Sequence, residues 1–101
     1  MNLNAAEIRP VTDLCLSSAD SSFVFGPAEG AVWHFDPPAC GRIVCNADPK
    51  LNSMLEATMR TSHPTVHITM DCEGQMFHGS AVLRSLEPCI ELDIVDSLVP
   101  A

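Results

Sequence analysis

Cysteine and histidine are the residues of this chain best suited to chemistry, and the sequence contains five of the first and four of the second. Four of these side chains fall close together in the sequence: His63, His67, Cys72 and His78. Zn²⁺ is bound by four such ligands in a tetrahedron, and Cys40 and Cys45 would add two further thiolates.

The spacing argues against that metal site. The two histidines of His63-x-x-x-His67 are separated by Pro64, and the second enters a predicted strand, so they are not neighbours on one helix face. The sequence also has no C-x-x-C motif. We therefore expect no metal, and we expect His67 and His78 at solvent-facing strand positions.

Other catalytic arrangements have little specificity here. A Cys–His nucleophile needs only two residues that meet in space, and many pairs of this chain qualify. Glu91 and Asp93 share one face of a predicted strand, which a solvated surface explains as well as acid–base catalysis. The run Gly74-x-x-x-x-Gly79-Ser80 lacks the lysine of a phosphate-binding loop. We expect no catalytic centre and no cofactor; an enzyme would need a pocket with perturbed titratable groups.

The charge of the chain disfavours two classes of partner. Thirteen acidic residues face five basic ones, giving a net charge of −8. Nucleic acids and anionic membranes are bound by clustered lysine and arginine, so we expect neither as a specific partner. The acidity serves solubility, repels nucleic acid or attracts a basic partner.

The sequence predicts one domain spanning residues 1–101, because 101 residues match the usual size of a single domain. Met1 to Asp13 lacks the basic and apolar runs of a signal peptide, and no stretch is apolar enough for a membrane span. An odd number of cysteines without framework spacing indicates reduced thiols of an intracellular protein.

Short strands and one helix are predicted from side-chain periodicity. The strands cover residues 11–17, 21–26, 31–36, 42–46, 66–70, 76–86 and 90–94. A helix over 48–62 begins at the N-cap Asp48 with Pro49 in its first position, and Pro64 stops it. A turn is expected at residues 72–75 and a β-bulge at Gly79. This order predicts an α+β fold, mainly antiparallel β (a sandwich or partly open barrel) with one flanking α-helix.

Four of the five aromatic residues are predicted to share one face of a hairpin formed by the strands 21–26 and 31–36. They are Phe23, Phe25, Trp33 and Phe35. Because strand side chains alternate between faces, positions of the same parity form one apolar stripe. Either the protein's own core or a neighbouring subunit must cover this stripe, and the sequence leaves both possibilities open.

The segment 73–87, EGQMFHGSAVLRSLE, resembles a strand segment of phage tail-tube and related tail or connector proteins. Those proteins often run G-x-x-F-x-G-x-A-x-(apolar)-x-S-L, and the resemblance covers about 15 residues of the chain. It implies packed sheets with one helix, and a hairpin that contacts neighbouring subunits. A tail, connector, baseplate or capsid-decorating role fits the length of the chain.

Two functions follow as hypotheses. The resemblance implies a non-enzymatic structural protein of the virion, assembled in the host cytoplasm and bound to copies of itself or to other virion proteins. Its acidity would suit a surface past which DNA slides without binding. The alternative is a small acidic intracellular binding or inhibitor protein that acts on another protein.

Overall fold

The computed structural model describes residues 7–20, 22–35, 41–95 and 99–100. The strands run as β1 (Glu7–Pro10), β2 (Asp13–Ser18), β3 (Val24–Ala28), β4 (Val32–Phe35), β5 (Arg42–Asn46), β6 (Thr65–Cys72), β7 (Gln75–Ser85), β8 (Cys89–Ile94) and β9 (Val99–Pro100). One helix, α1 (Pro49–Met59), lies between β5 and β6. Every strand pair of this part of the chain is antiparallel, so the predicted fold class is confirmed.

The first four strands form one long, bent, two-stranded ribbon over residues 7–35. At its base β1 pairs with β4, with Pro10 opposite Val32. Further along, β2 pairs with β3, with Leu14 opposite Ala28. The pairing continues through the bend between them, where the Val11 amide donates to the Ala31 carbonyl at 3.0 Å. The end of the ribbon where β2 leads into β3 is its tip, and Asp20, Ser22 and Phe23 lie there.

This ribbon borders a four-stranded sheet on both sides and makes it curl. The sheet order is β1-β4-β5-β8-β7-β6-β2-β3, with β9 added alongside β7. The base of the ribbon therefore joins β5 through β4, while its outer half joins β6 through β2. The result is a single sheet curled into a half-barrel.

The inner face of the half-barrel holds the core. Buried residues alternate with partly exposed ones along β6 and β8, as expected for strands with one face on a core. The helix adds Leu51 and Leu55 to that core and packs against β3 and β7. Its start follows the prediction: the Asp48 carboxylate accepts from the Lys50 and Leu51 amides at 2.9 and 3.1 Å. Among the described residues, no helix has the length and apolar character of a membrane span.

The predicted aromatic hairpin is wrong. Strands β3 and β4 do not pair with each other; β3 pairs with β2, while β4 pairs with β1 and β5. Gly26 lies within β3, opposite Leu16 at the register shift, and Gly30 lies at the bend of the ribbon, so the two do not belong to a hairpin loop. Their φ angles are 119° and 66°. The turn lies earlier in the chain, where the Ser18 amide donates to the Phe23 carbonyl.

The predicted bulge at Gly79 is also wrong. Residues 75–82 of β7 pair with β6 without interruption, with Gly79 opposite Ile68. The register instead shifts between Leu83 and Ser85, where β7 has passed its last partner on β6 and pairs with β8 alone. Strands β1 and β9 were not predicted, and the helix ends at Met59 rather than at residue 62.

Candidate interaction surface

The four aromatic residues predicted as a possible interface have different surroundings. Phe25 and Trp33 are both 5% exposed and belong to the protein's own core. Phe23 is 55% exposed. The side chain of Phe35 lies outside the described residues. An apolar surface for a partner therefore remains at Phe23, at the tip of the ribbon.

Trp33 lies at the base of the ribbon and packs within the half-barrel. Its ring meets Phe77 of β7 edge-on, with the ring centres 5.6 Å apart. The Arg9 guanidinium stacks over the same indole, 5.6 Å from the ring centre. The contact between Trp33 and Phe77 thus packs the base of the ribbon against the four-stranded sheet β5-β8-β7-β6.

The tip is organised by one carboxylate. Asp20 Oδ1 accepts hydrogen bonds from Ser18 Oγ at 2.7 Å, from Ser22 Oγ at 2.6 Å and from the Ser22 amide at 2.9 Å. These donors stabilise the ionised form, led by the Ser22 hydroxyl, and lower the pKa of Asp20 to about 2. The Ser18 amide also donates to the Phe23 carbonyl at 2.7 Å, which closes the turn.

This turn displays two apolar side chains, Phe23 and Val24, which we call the apolar tip. They are 55% and 57% exposed, respectively. Phe23 rests on buried Phe25 in an edge-to-face contact, with ring centres 5.3 Å apart and planes at 85°. The apolar tip is therefore a supported surface rather than a loose loop end.

A cluster of four charged residues occupies the outer face of β5, β7 and β8. Asp93 accepts from Arg42 Nε at 2.7 Å and from Arg84 Nε at 2.8 Å, and Arg42 also contacts Glu91 at 3.3 Å. The hydrogen bond from Arg42, followed by that from Arg84, lowers the pKa of Asp93. The two carboxylates considered as an acid–base pair are thus engaged as ion-pair partners of arginines.

The four residues considered as zinc ligands, His63, His67, Cys72 and His78, do not converge. Cys72 faces the core, where its thiol donates to the Pro10 carbonyl at 3.5 Å, and His63 is exposed ahead of β6. Cys45 is buried, which raises the pKa of its thiol to about 11, and Cys40 lies outside the described residues. No group of three or more potential metal ligands occurs in the described part of the chain.

Two of those ligands do meet, however, on the outer face of the sheet. The rings of His67 and His78 lie with their centres 6.1 Å apart. The sequence contained the signal for this contact, because a two-residue turn at Glu73-Gly74 sets the register of β6 and β7. That register places His67 opposite Ser80 and His78 opposite Thr69, which makes the two histidines diagonal neighbours.

A groove of about 270 Å³ lies between the helix and the β7–β8 turn. Its lining residues are Pro49, Asn52, Ser53, Glu56, Leu86 and Glu87. The side-chain amide of Asn52 crosses the groove: its Nδ2 donates to the Leu86 carbonyl at 3.0 Å and to Glu87 Oε1 at 3.2 Å. Asn52 therefore ties the helix to the turn, and the volume is below the usual range of small-molecule pockets.

No known protein family, characterised protein or solved structure matches this chain. The features of the described residues that bear on function are therefore the apolar tip and the distribution of charge.

Proposed function

We propose that this chain is a non-enzymatic assembly protein of a phage virion, a tail, connector or decoration component, which binds copies of itself through the apolar tip. The observation that carries the proposal is the pair of exposed side chains, Phe23 and Val24, held at the end of a hydrogen-bonded turn.

Preorganisation is what makes this tip suited to binding. Ordering a loop at an interface opposes association, and that cost is smaller when the loop is already held in place. Asp20 supplies three hydrogen bonds to the turn, and Phe25 supports the ring of Phe23 from below. Exposed aromatic residues with such support are typical anchors of protein interfaces.

The charge distribution supports a protein partner over nucleic acid. Arg42 and Arg84 both pair with Asp93, and Arg60 lies 3.7 Å from Glu56 on the helix. Three of the five basic side chains of the sequence are thus beside carboxylates. A net charge of −8 favours a surface that DNA passes without binding.

The proposal is tested by measuring mass in solution as a function of protein concentration. We expect the wild-type protein to form oligomers, and we expect Phe23→Ser to remain monomeric, because it removes the aromatic anchor of the tip. Light scattering after size-exclusion chromatography gives the masses, and electron microscopy of the concentrated protein shows whether the oligomers are rings.

Ile8→Ser is the matched control, since Ile8 is also an exposed apolar residue, 62% exposed on β1 at the other end of the ribbon. This variant should assemble like the wild type. A wild-type protein that stays monomeric at all concentrations would contradict self-assembly, as would equal loss of oligomers in both variants.

A second candidate function is a small acidic protein that binds a basic surface of another protein. Asp13 and Asp71 are direct partners across β2 and β6, and like charges in that position destabilise a sheet. A basic partner would relieve this repulsion. A monomer that binds one foreign protein, with an affinity that falls steeply with salt and with Asp13→Asn, would favour this function over assembly.

A further inference from the structure

His67 and His78 are neighbouring imidazole side chains on the outer face of the four-stranded sheet, with ring centres 6.1 Å apart. His67 belongs to β6, where Val66, Ile68 and Met70 point into the core, so His67 points outward. His78 lies on the outward face of β7 by the same alternation. Both residues are half-buried, which leaves the rings accessible from solvent.

The distance between the two rings is close to what a shared metal ion requires. An ion bound to one nitrogen of each ring at about 2.0–2.1 Å holds the ring centres roughly 5–6 Å apart. The observed separation is 6.1 Å, with the ring planes tilted by 41°. A small rotation of the side chains is enough to bring one nitrogen of each ring onto a common ion.

We propose that His67 and His78 together bind a divalent transition-metal ion of the kind that favours imidazole, such as Ni²⁺ or Zn²⁺. The pair supplies two nitrogen ligands, and water fills the remaining positions. One ion binds per chain.

The strands that carry the pair fix its geometry. Strand β6 is held between β2 and β7, and β7 pairs with β6 without a break across both histidines. A site on paired strands is better preorganised than one on a loop. The flanking outward-facing residues in the row of His67 are Ser17 and Ser80, which are small and leave room for water around the ion.

This site faces away from the core, and Ser17 separates it from Val24 of the apolar tip, because Ser17 pairs with Val24 on one side and with His67 on the other. The ion lies on the outer face, whereas the structural contacts of β6 and β7 are made by side chains of the inner face. The protein should therefore fold without metal, and saturating Ni²⁺ should raise its melting temperature, because an ion that binds only the folded state stabilises that state.

Isothermal titration calorimetry of the full chain with Ni²⁺ tests the proposal, because it measures the number of ions bound and their affinity. We expect one ion per chain, and we expect affinity to fall by about tenfold or more in His67→Gln and in His78→Gln, since even residues that merely orient ligands contribute that much. His63→Gln is the matched control, because His63 is exposed outside the pair and should not change the affinity.

Cys15→Ser tests whether a thiol binds the ion instead. Cys15 is exposed on the outer face and lies opposite Thr69, which is the partner of His78. Binding should persist in this variant. The proposal is overturned if Ni²⁺ binding is absent in the wild type, if it survives in the His67→Gln/His78→Gln double variant, or if it is lost with Cys15 or His63. Thermal melting without metal confirms that each variant is folded.

Discussion

The four-stranded sheet β5-β8-β7-β6 and the bent ribbon of residues 7–35 share one core, yet they relate differently to their sequences. In the sheet, each inner strand has partners on both sides, and buried and exposed residues alternate regularly along β6 and β8. In the ribbon, β1 and β3 have one partner each, whereas β2 and β4 also pair with the sheet, and the register of β2 and β3 shifts between Leu16 and Ser17. Periodicity is a reliable guide only where the pairing is continuous.

The sheet and the ribbon also differ in how much apolar surface they expose. The sheet buries most of its large apolar side chains, with Met76 of β7 an exception at 41% exposed, and its outer face carries the charged cluster around Asp93. The ribbon buries Trp33 at its base but exposes Phe23 and Val24 at its tip. The ribbon therefore joins the part of the fold that stabilises the monomer to the part proposed to bind a partner.

Replacing Trp33 should have the largest effect, because its base position makes it part of the core. We expect Trp33→Ala to lower the free energy of unfolding by about 3–5 kcal/mol, since it removes the contact with Phe77 and leaves a cavity. Chemical denaturation followed by circular dichroism measures this loss.

Phe23→Ala is the comparison variant at the tip of the ribbon. It should lower the free energy of unfolding by about 0.5–1.5 kcal/mol, which is the usual contribution of one aromatic contact beyond the burial of its surface. Any folded Trp33→Ala protein should assemble like the wild type. If Trp33→Ala leaves stability unchanged but abolishes assembly, then the base of the ribbon binds the partner and the tip does not.

The parts of the fold that sequence predicted correctly are those fixed by local chemistry. Strand β5 was predicted with its observed ends, and the helix start follows from Asp48 and Pro49. The candidate interface was harder, because Phe23 and Phe25 differ in burial despite their equal parity. Strand β3 begins at Val24, so Phe23 belongs to the turn around Asp20 and Phe25 belongs to the strand. Side-chain hydrogen bonds to a single carboxylate have no periodicity that a sequence pattern shows.

An intermediate effect is expected at the start of the helix, which closes the half-barrel against β3 and β7. Asp48→Ala removes the acceptor of the Lys50 and Leu51 amides and should lower the free energy of unfolding by about 0.5–2 kcal/mol. Ser53→Ala, at an exposed position within the same helix, should change it very little. Equal losses in the two variants would show that the capping hydrogen bonds are not formed in solution.

The smallest effect, and the most specific one, is expected at Asp20. Its pKa is about 2 in the folded protein against an ordinary value of 3.8, so the folded state holds the ionised form more strongly than the unfolded state does. The resulting stabilisation is fully present above about pH 4 and is lost as the pH falls from 3.8 towards 2. Asp20→Ala should therefore show a weaker loss of stability with acid over that interval.

Direct titration of the Asp20 carboxyl carbon by nuclear magnetic resonance links this effect to the tip. Ser22→Ala removes the Ser22 hydroxyl, the leading cause of the lowered pKa, and should move the midpoint of the titration upward towards 3.8. The residual shift in this variant reports the hydrogen bonds from Ser18 and from the Ser22 amide. A wild-type midpoint already at 3.8 would mean that the turn opens in solution. Phe23 would then lie on a mobile loop, and the ribbon tip would lose the preorganisation on which its proposed role in assembly depends.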